Sequence, residues 1–561
     1  MKLLSLLLVL CLLSGCASGQ VTTVEPTPDA TVPTQQIPET TSPETVFASR
    51  FDTTTEIQLS DSGITVDGGE ETSAVFTSQD IIYYEDRTSY ESGNPYGEGE
   101  DWQRHSAQEA AAHTVVNITA PGAYRLTGKL SAGQIRINLG ENAYDDPDAV
   151  VELILCDADI TCTVAPAILF QNVYECDGNW SVDTAKADVD TASAGANLIL
   201  EGKNTVNGSH VAKIFKDKDG EKKLWKQDGA IYSYMSMNVE GPGSLALSAD
   251  NEGLDSELHL TLNGGDITIC SGNDGINTNE DGVSVTTING GSLTIFAGLD
   301  KEGDGIDSNG YLVINGGTVV SAAHPAADAG LDSDLGSFIH GGTVIALGST
   351  MDWAESESRQ VTMNLQFASQ QKAGSKITIT REDGTEICSF KNNGQHSRTF
   401  SGLILSHPGL AQGQTYHVYV DGVQMAYTGT DVRRGPGGFG GGMPPQWENG
   451  ERPEMPEGME FPEGMTPPEG MEFPEGMTPP EGMEFPEGMT PPDGMEFRED
   501  RKRPEGMEFP EGMTPPEGMD KPQGNFPGPM SGNREPAGEA STEFYMNDMV
   551  NAFSGVTKAD G

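Results

Sequence analysis

The chain has 561 residues, with 32 Lys and Arg against 85 Asp and Glu and a formal net charge of -53. That excess argues against nucleic acid and anionic lipid as partners, since both need a basic face. It favours cations, neutral partners, or acidic partners bridged by cations.

The first residues resemble an export signal. Lys2 supplies a positive start, and Leu3 to Leu13 is an apolar run too short to span a membrane. It ends in Leu13-Ser14-Gly15-Cys16, a lipobox in which the Cys16 thiol takes the lipid. The expectation is a signal peptide over 1–15 and a mature protein held by its lipid at the outer face of a bacterial cell membrane. Residues 16–50 are rich in Thr, Pro, Ser and Glu without an apolar period, and read as a flexible spacer. Beyond Cys11 and Cys16, the cysteines are Cys156, Cys162, Cys176, Cys270 and Cys388. An odd set without C-x-x-C spacing points to neither a zinc site nor a disulfide framework.

Residues 51–114 form an N-terminal segment and cap. Ser106-Ala107-Gln108-Glu109 is a capping box that opens a short helix running to His113. A helix there would cover an exposed sheet edge.

From Val115 the pattern turns to short β-branched runs bounded by Gly, Asp and Asn, such as Val150-Val151-Glu152-Leu153-Ile154-Leu155. Between Asp228 and Thr350 the runs repeat. One phase reads Asp228-Gly229-Ala230-Ile231, Glu252-Gly253-Leu254-Asp255, Asp274-Gly275-Ile276-Asn277, Asp304-Gly305-Ile306-Asp307 and Gly330-Leu331-Asp332. The other reads Asn263-Gly264-Gly265, Asn289-Gly290-Gly291, Asn315-Gly316-Gly317 and His340-Gly341-Gly342, each followed by an alternating strand. Successive starts at 252, 274, 304 and 328 lie 22, 30 and 24 residues apart. A unit of that length made of two or three strands is one coil of a parallel β-helix, expected over 115–350. The leucine-rich repeat spacing is absent, and a propeller blade is nearly twice as long. One coil cannot bury a core alone; stacked coils build a continuous one at about 4.8 Å per step. The Ile or Leu after each Gly points inward.

Residues 351–434 lose the repeat but stay strand-like and read as a small C-terminal β subdomain. Residues 435–541 carry a Pro/Met/Glu/Gly unit typified by Glu457-Gly458-Met459-Glu460-Phe461-Pro462, which forbids helix and sheet ladders and reads as a disordered spacer or a sticky tail. Residues 542–561 regain order-prone sequence.

The repeat turns the acids into ladders. Glu252, Asp274 and Asp304 fall on one line, and Asp255, Asn277, Asp307 and Asp332 on a second. Two carboxylates one coil apart repel by roughly 1 kcal/mol in water and more when shielded. Protonation, full exposure or a bound cation relieves this. Ca²⁺ suits such turns, which offer carboxylates, Asn side chains and carbonyls. The plainer alternative is that Asp and Asn cap their own turns. No catalytic constellation stands out. Between Asp228 and Thr350 the only Lys or Arg is Lys301, in an acidic loop, and His259, His324 and His340 are scattered without metal or triad spacing. A lyase acting beside a uronate carboxylate needs a basic proton acceptor. Tyr232, Tyr234 and Tyr311, with Trp225 and Trp353, are candidates for stacking on sugar rings.

Ile118-Thr119-Ala120-Pro121-Gly122-Ala123-Tyr124-Arg125-Leu126-Thr127-Gly128, then Val151 to Thr161, then Ala230-Ile231-Tyr232-Ser233 and the Asp-Gly-Ile and Asn-Gly-Gly coils resemble the clostridial carbohydrate-binding β-helix lipoproteins. The resemblance spans roughly Phe51 to Thr430. It implies a right-handed, pectate-lyase-like parallel β-helix, bound Ca²⁺, and affinity for cellulose or acidic plant polysaccharide without established cleavage. It assigns calcium to Glu252, Asp255, Asp274, Asp304, Asp307 and Asp332. A Ca²⁺-dependent polysaccharide lyase and a structural or adhesion protein are the alternatives.

Overall fold

The computed structural model describes residues 48–85, 96–97, 103–216, 222–300, 302–326, 328–349, 352–391, 396–430 and 540–559. They fall in one compact unit, residues 1–442 with 536–561; the second unit, 443–535, lies outside the described residues. Cys16, Lys301 and the repeats up to residue 539 lie outside them too.

The described chain is almost entirely β. The capping box forms as read, with Ser106 Oγ accepting from Glu109 N and the Glu109 side chain accepting from Ser106 N. The α-helix, however, runs only over Ala107–Ala110 and does not reach His113. Its end is set by the next strand, whose first N–H, Thr114, already donates to Ala132 O.

The repeats become rungs of parallel ladders. Each repeat contributes one strand to a nine-stranded sheet and two to a larger sheet. In the nine-stranded sheet, Gly229–Ser233, Glu252–Ser256, Ile276–Thr278, Ile306–Ser308 and Leu331–Ser333 pair in parallel, in that order. Their register aligns Ile231, Leu254, Ile276, Ile306 and Leu331, all fully buried. Side chains alternate across a strand, so the neighbouring positions face out, and there Tyr232, Asp255, Asn277, Asp307 and Asp332 align. The larger sheet repeats the device, with Leu198, Val239, Leu262, Ile288, Ile314 and Ile339 in one row. Each such Ile or Leu, buried from water, contributes roughly 1.5–3 kcal/mol. The rows form one core from Ile57 to Ile404.

The Asn-Gly-Gly turns stack as well. Asn289 Nδ2 donates to Asn263 Oδ1 at 2.8 Å, and Asn315 Nδ2 to Asn289 Oδ1 at 2.8 Å. Gly291 has φ +80°, and a Cβ there would sit 2.6 Å from Gly265 O. Only glycine meets both demands.

The parallel order ends at Thr343–Gly348, which pairs antiparallel with Phe400–Ser406. Around it Thr362–Gln371, Lys376–Arg381, Glu386–Lys391 and Thr415–Val420 build a mostly antiparallel sheet with its own core. Val550–Lys558 returns to pair in parallel with Thr362–Gln371, and Phe553 stands 4.7 Å from the ring centre of Tyr427.

Candidate functional site

The outward row of the nine-stranded sheet carries the acids. Asp255, Asn277, Asp307 and Asp332 follow one another rung by rung. Beside them the backbone stitches the second line: Asp304 N donates to Asp274 Oδ1 at 2.7 Å, and Ala329 N to Asp304 Oδ1 at 2.6 Å. Asp274 and Asp304 therefore do in part what capping acids do. Asp332 gains similar relief from Ser333 N, which donates to its Oδ1 at 3.0 Å.

At the start of the row the carboxylates converge. Asp228, Glu252 and Asp255 each present an oxygen, all within 4.8 Å of one another. Glu252 is 5% exposed and Asp255 is 0% exposed, burial normally reserved for paired charges. Glu252 Oε2, Asp255 Oδ2 and Asn277 Oδ1 are buried without a hydrogen-bond donor. Among the described residues, Asp274, Asp304, Asp307 and Asp332 form no second triplet of this kind.

The environment holds protons on this row. Burial, then the charge of Asp228, pushes Glu252 up to about 7. Burial and the charge of Glu252 push Asp255 well above the usual carboxylate range. Burial, with the other acids adding to it, raises Asp274 and Asp304 likewise. Asp307 rises to about 7 through burial and Asp332, and burial raises Asp332 itself. A group in this condition keeps its proton or takes a cation.

Sequence reasoning missed two members of the site. Asp228 opens the repeat phase, so its position was readable from the Asp-Gly-Ala-Ile motif. Lys226 lies just before that motif and falls outside the repeat. Its Nζ stands 3.5 Å from Asp228 Oδ2 and donates to Asn279 Oδ1. Asn279 Nδ2 in turn donates to Asp255 Oδ1 at 2.5 Å. Burial alone would lower the Lys226 pKa, but Asp255, Asp228, Glu257 and Glu252 outweigh it and hold the ammonium charged.

The aromatic expectations divide. Tyr232 is corrected: its ring is 0% exposed, its hydroxyl donates to Glu257, and the Tyr234 ring stands edge-on at 5.1 Å. It offers no face to a sugar. Tyr234 is half-buried and donates to Lys226 O at 3.1 Å. Tyr311 is half-exposed, 6.1 Å from the Phe338 ring. Trp353 is half-buried, and the Trp225 side chain lies outside the described residues.

A family model described as carbohydrate-binding domain-containing protein matches residues 112–399, just over half of the chain. The chain belongs to this carbohydrate-binding family. A solved structure, the polysaccharide lyase-like protein from C. thermocellum in a gadolinium derivative, is similar at 19% identity. That match covers 52% of this chain and 94% of the other, with a TM-score of 0.30. No curated protein matches. The carbohydrate-binding segment contains Lys226, the acidic row and all the aromatic candidates.

Proposed function

We propose that the protein binds plant polysaccharide, cellulose or acidic sugars such as polygalacturonate, on the acidic face of its coils without cleaving it. The coils wind as a right-handed parallel β-helix. Ca²⁺ sits among the oxygens of Asp228, Glu252 and Asp255, with Asn277 Oδ1 beside them, and the lipid on Cys16 holds the chain at the outer face of the cell membrane.

The observation that carries the calcium reading is the set of buried oxygens without donors in one converging acidic cluster. The donors are all hard oxygens, the class Ca²⁺ selects, with neither thiolate nor imidazole among them. An ion here cancels repulsion inside the protein and, where its coordination stays open, bridges a uronate carboxylate to an otherwise repelling surface. Asp274, Asp304, Asp307 and Asp332 extend the same negative row toward the C-terminal sheet.

Lys226 bears on the lyase alternative. Removing a proton beside a uronate requires a neutral amine, whereas the surrounding carboxylates keep Lys226 as an ammonium. It acts as a resident counterion. Lys301, the basic residue expected from sequence, lies outside the described residues.

The test is retention on polygalacturonate and on cellulose, with calcium and with chelator, for wild type and Asp255→Asn, together with absorbance of unsaturated product. Calcium-dependent retention on polygalacturonate, weakened in Asp255→Asn and without unsaturated product, is the expected result. Unsaturated product from the wild type overturns the non-catalytic reading. Absence of retention on either polymer overturns carbohydrate binding at this face.

A further inference from the structure

The 177–190 loop, inserted between the strands Ile168–Asn172 and Ala196–Glu201, is unlike the coils around it. Trp180 is 39% exposed and Val182 60% exposed. They lie two residues apart in the chain, and few other large apolar side chains are exposed among the described residues.

The loop is ordered by its own side chains. Asp177 N donates to Glu175 Oε1, and two Asx turns follow, Asn179 N donating to Asp177 Oδ1 and Ser181 N to Asn179 Oδ1. Trp180 Nε1 donates to Tyr144 Oη at 2.6 Å. Tyr144 is itself packed against the main core. One edge of the indole is thereby pinned while part of the ring stays in water. A fixed, partly wet aromatic ring with its polar atom already satisfied is the form of a stacking platform.

The loop also adjoins the proposed binding face. Val182 lies against the Gly282 turn, where an added Cβ would come within 3.2 Å of Val182 Cγ1. Asn309 Nδ2 links that turn to the acidic row, donating to Asp281 Oδ1 at 3.1 Å and to Asn279 O at 2.9 Å. Asn279 is the partner of Lys226 and Asp255. The charge of the loop selects its ligand: Asp177, Asp183, Asp188 and Asp190 stand against Lys186 alone. A uronate is repelled there, whereas a neutral pyranose presents a C–H face to the ring and hydroxyls to the carboxylates.

We infer that Trp180 is a stacking platform for a neutral hexose polymer, a flat β-linked glucan, adjoining the cation-bearing row that takes acidic sugars. The inference rests on the carbohydrate-binding reading and adds a second, metal-independent contact to it. The experiment is affinity electrophoresis in gels holding hydroxyethylcellulose, or polygalacturonate with calcium, for wild type, Trp180→Ala, Trp180→Phe and Asp255→Asn. Trp180→Ala is expected to weaken hydroxyethylcellulose binding about tenfold, which corresponds to about 1.4 kcal/mol. Its melting temperature and polygalacturonate binding should stay as in wild type, Trp180→Phe should keep most of the glucan affinity, and Asp255→Asn should weaken polygalacturonate binding. Wild-type glucan affinity in Trp180→Ala overturns the inference while leaving the carbohydrate reading intact. Loss of both polymers in Trp180→Ala overturns the assignment to neutral sugar. If wild type is retarded by neither polymer, both readings fall together.

Discussion

The ammonium of Lys226 stands 3.5 Å from Oδ2 of Asp228, one of the three carboxylates whose oxygens converge. Their side chains are only 18% and 23% exposed, and removing a partner from such an ion pair costs more than the pair is worth, because the charge left behind is poorly hydrated. Lys226→Met is therefore expected to destabilise the calcium-free protein by roughly 3 kcal/mol, and calcium should restore most of the loss. Denaturant unfolding with chelator and with calcium measures both terms. Equal midpoints for wild type and variant in chelator would contradict the role given to this lysine.

The acidic row also predicts a pH dependence. Glu252 titrates near 4.5 when unfolded and at about 7 when folded, and Asp307 moves from 3.8 to about 7. Both folded values are raised, so the native state binds more protons between the two limits and stability falls as pH rises through that window. Calcium-free protein should melt higher near pH 4.5 than near pH 7, with Glu252 contributing on the order of 3 kcal/mol to the difference. Calcium competes with those protons and should flatten or invert the trend. Thermal melts across this window, with chelator and with calcium, decide it. A calcium-free melting temperature that rises with pH would refute the picture.

Gly291 tests the stacking. Its φ of +80° and the 2.6 Å approach to Gly265 O leave no room for a side chain. Gly291→Ala should cost about 1–3 kcal/mol through backbone strain, with further loss from the clash. Gly384 has a similar φ of +85° but open space around it, so Gly384→Ala should show strain alone. The difference between the two unfolding energies isolates the coil-to-coil contact.

Much of this architecture was legible because the repeat is short and its Gly-aliphatic turn persists although the spacing varies between 22 and 30 residues. Once the Asp-Gly-Ile turns at Asp274 and Asp304 are aligned with their variants at Asp228, Glu252 and Gly330, the inward Ile231–Leu331 row and the outward Asp255–Asp332 row follow from alternation alone. What the repeat could not convey lies at its margins. Lys226 precedes the first motif and so carries no mark of the repeat. Tyr232 sits on the outward row yet is covered by Tyr234 and Glu257, contacts that depend on chain outside the repeating pattern. Trp180 belongs to an insertion without periodicity, and its exposure emerges only when the loop is seen folded against Tyr144. The helix expected to reach His113 stops at Ala110 because pairing of the following strand claims the chain first.

The C-terminal strand makes a separate claim. Phe553 is 2% exposed and packs against Tyr427 and Phe544 at 4.7 and 5.0 Å between ring centres. Phe553→Ala should destabilise the C-terminal sheet by about 3–5 kcal/mol. Hydrogen exchange would show the loss over Thr362–Gln371, with protection of the coils from Glu252 onward retained. Uniform loss across both regions would mean that the two cores unfold as one.

A parallel stack of coils is by nature a template, since its last rung offers unsatisfied N–H and C=O groups to any strand of matching register. Here the direction reverses at Phe400–Ser406 on one sheet and at Val75–Ser78 on the other. At those places an incoming copy finds the rim already taken by chain running the wrong way, while among the described residues Leu331–Ser333 stays at the edge of the nine-stranded sheet, paired only with Ile306–Ser308. Strand-on-strand addition is thereby blocked at the C-terminal end of the larger sheet and at the N-terminal end of the nine-stranded one.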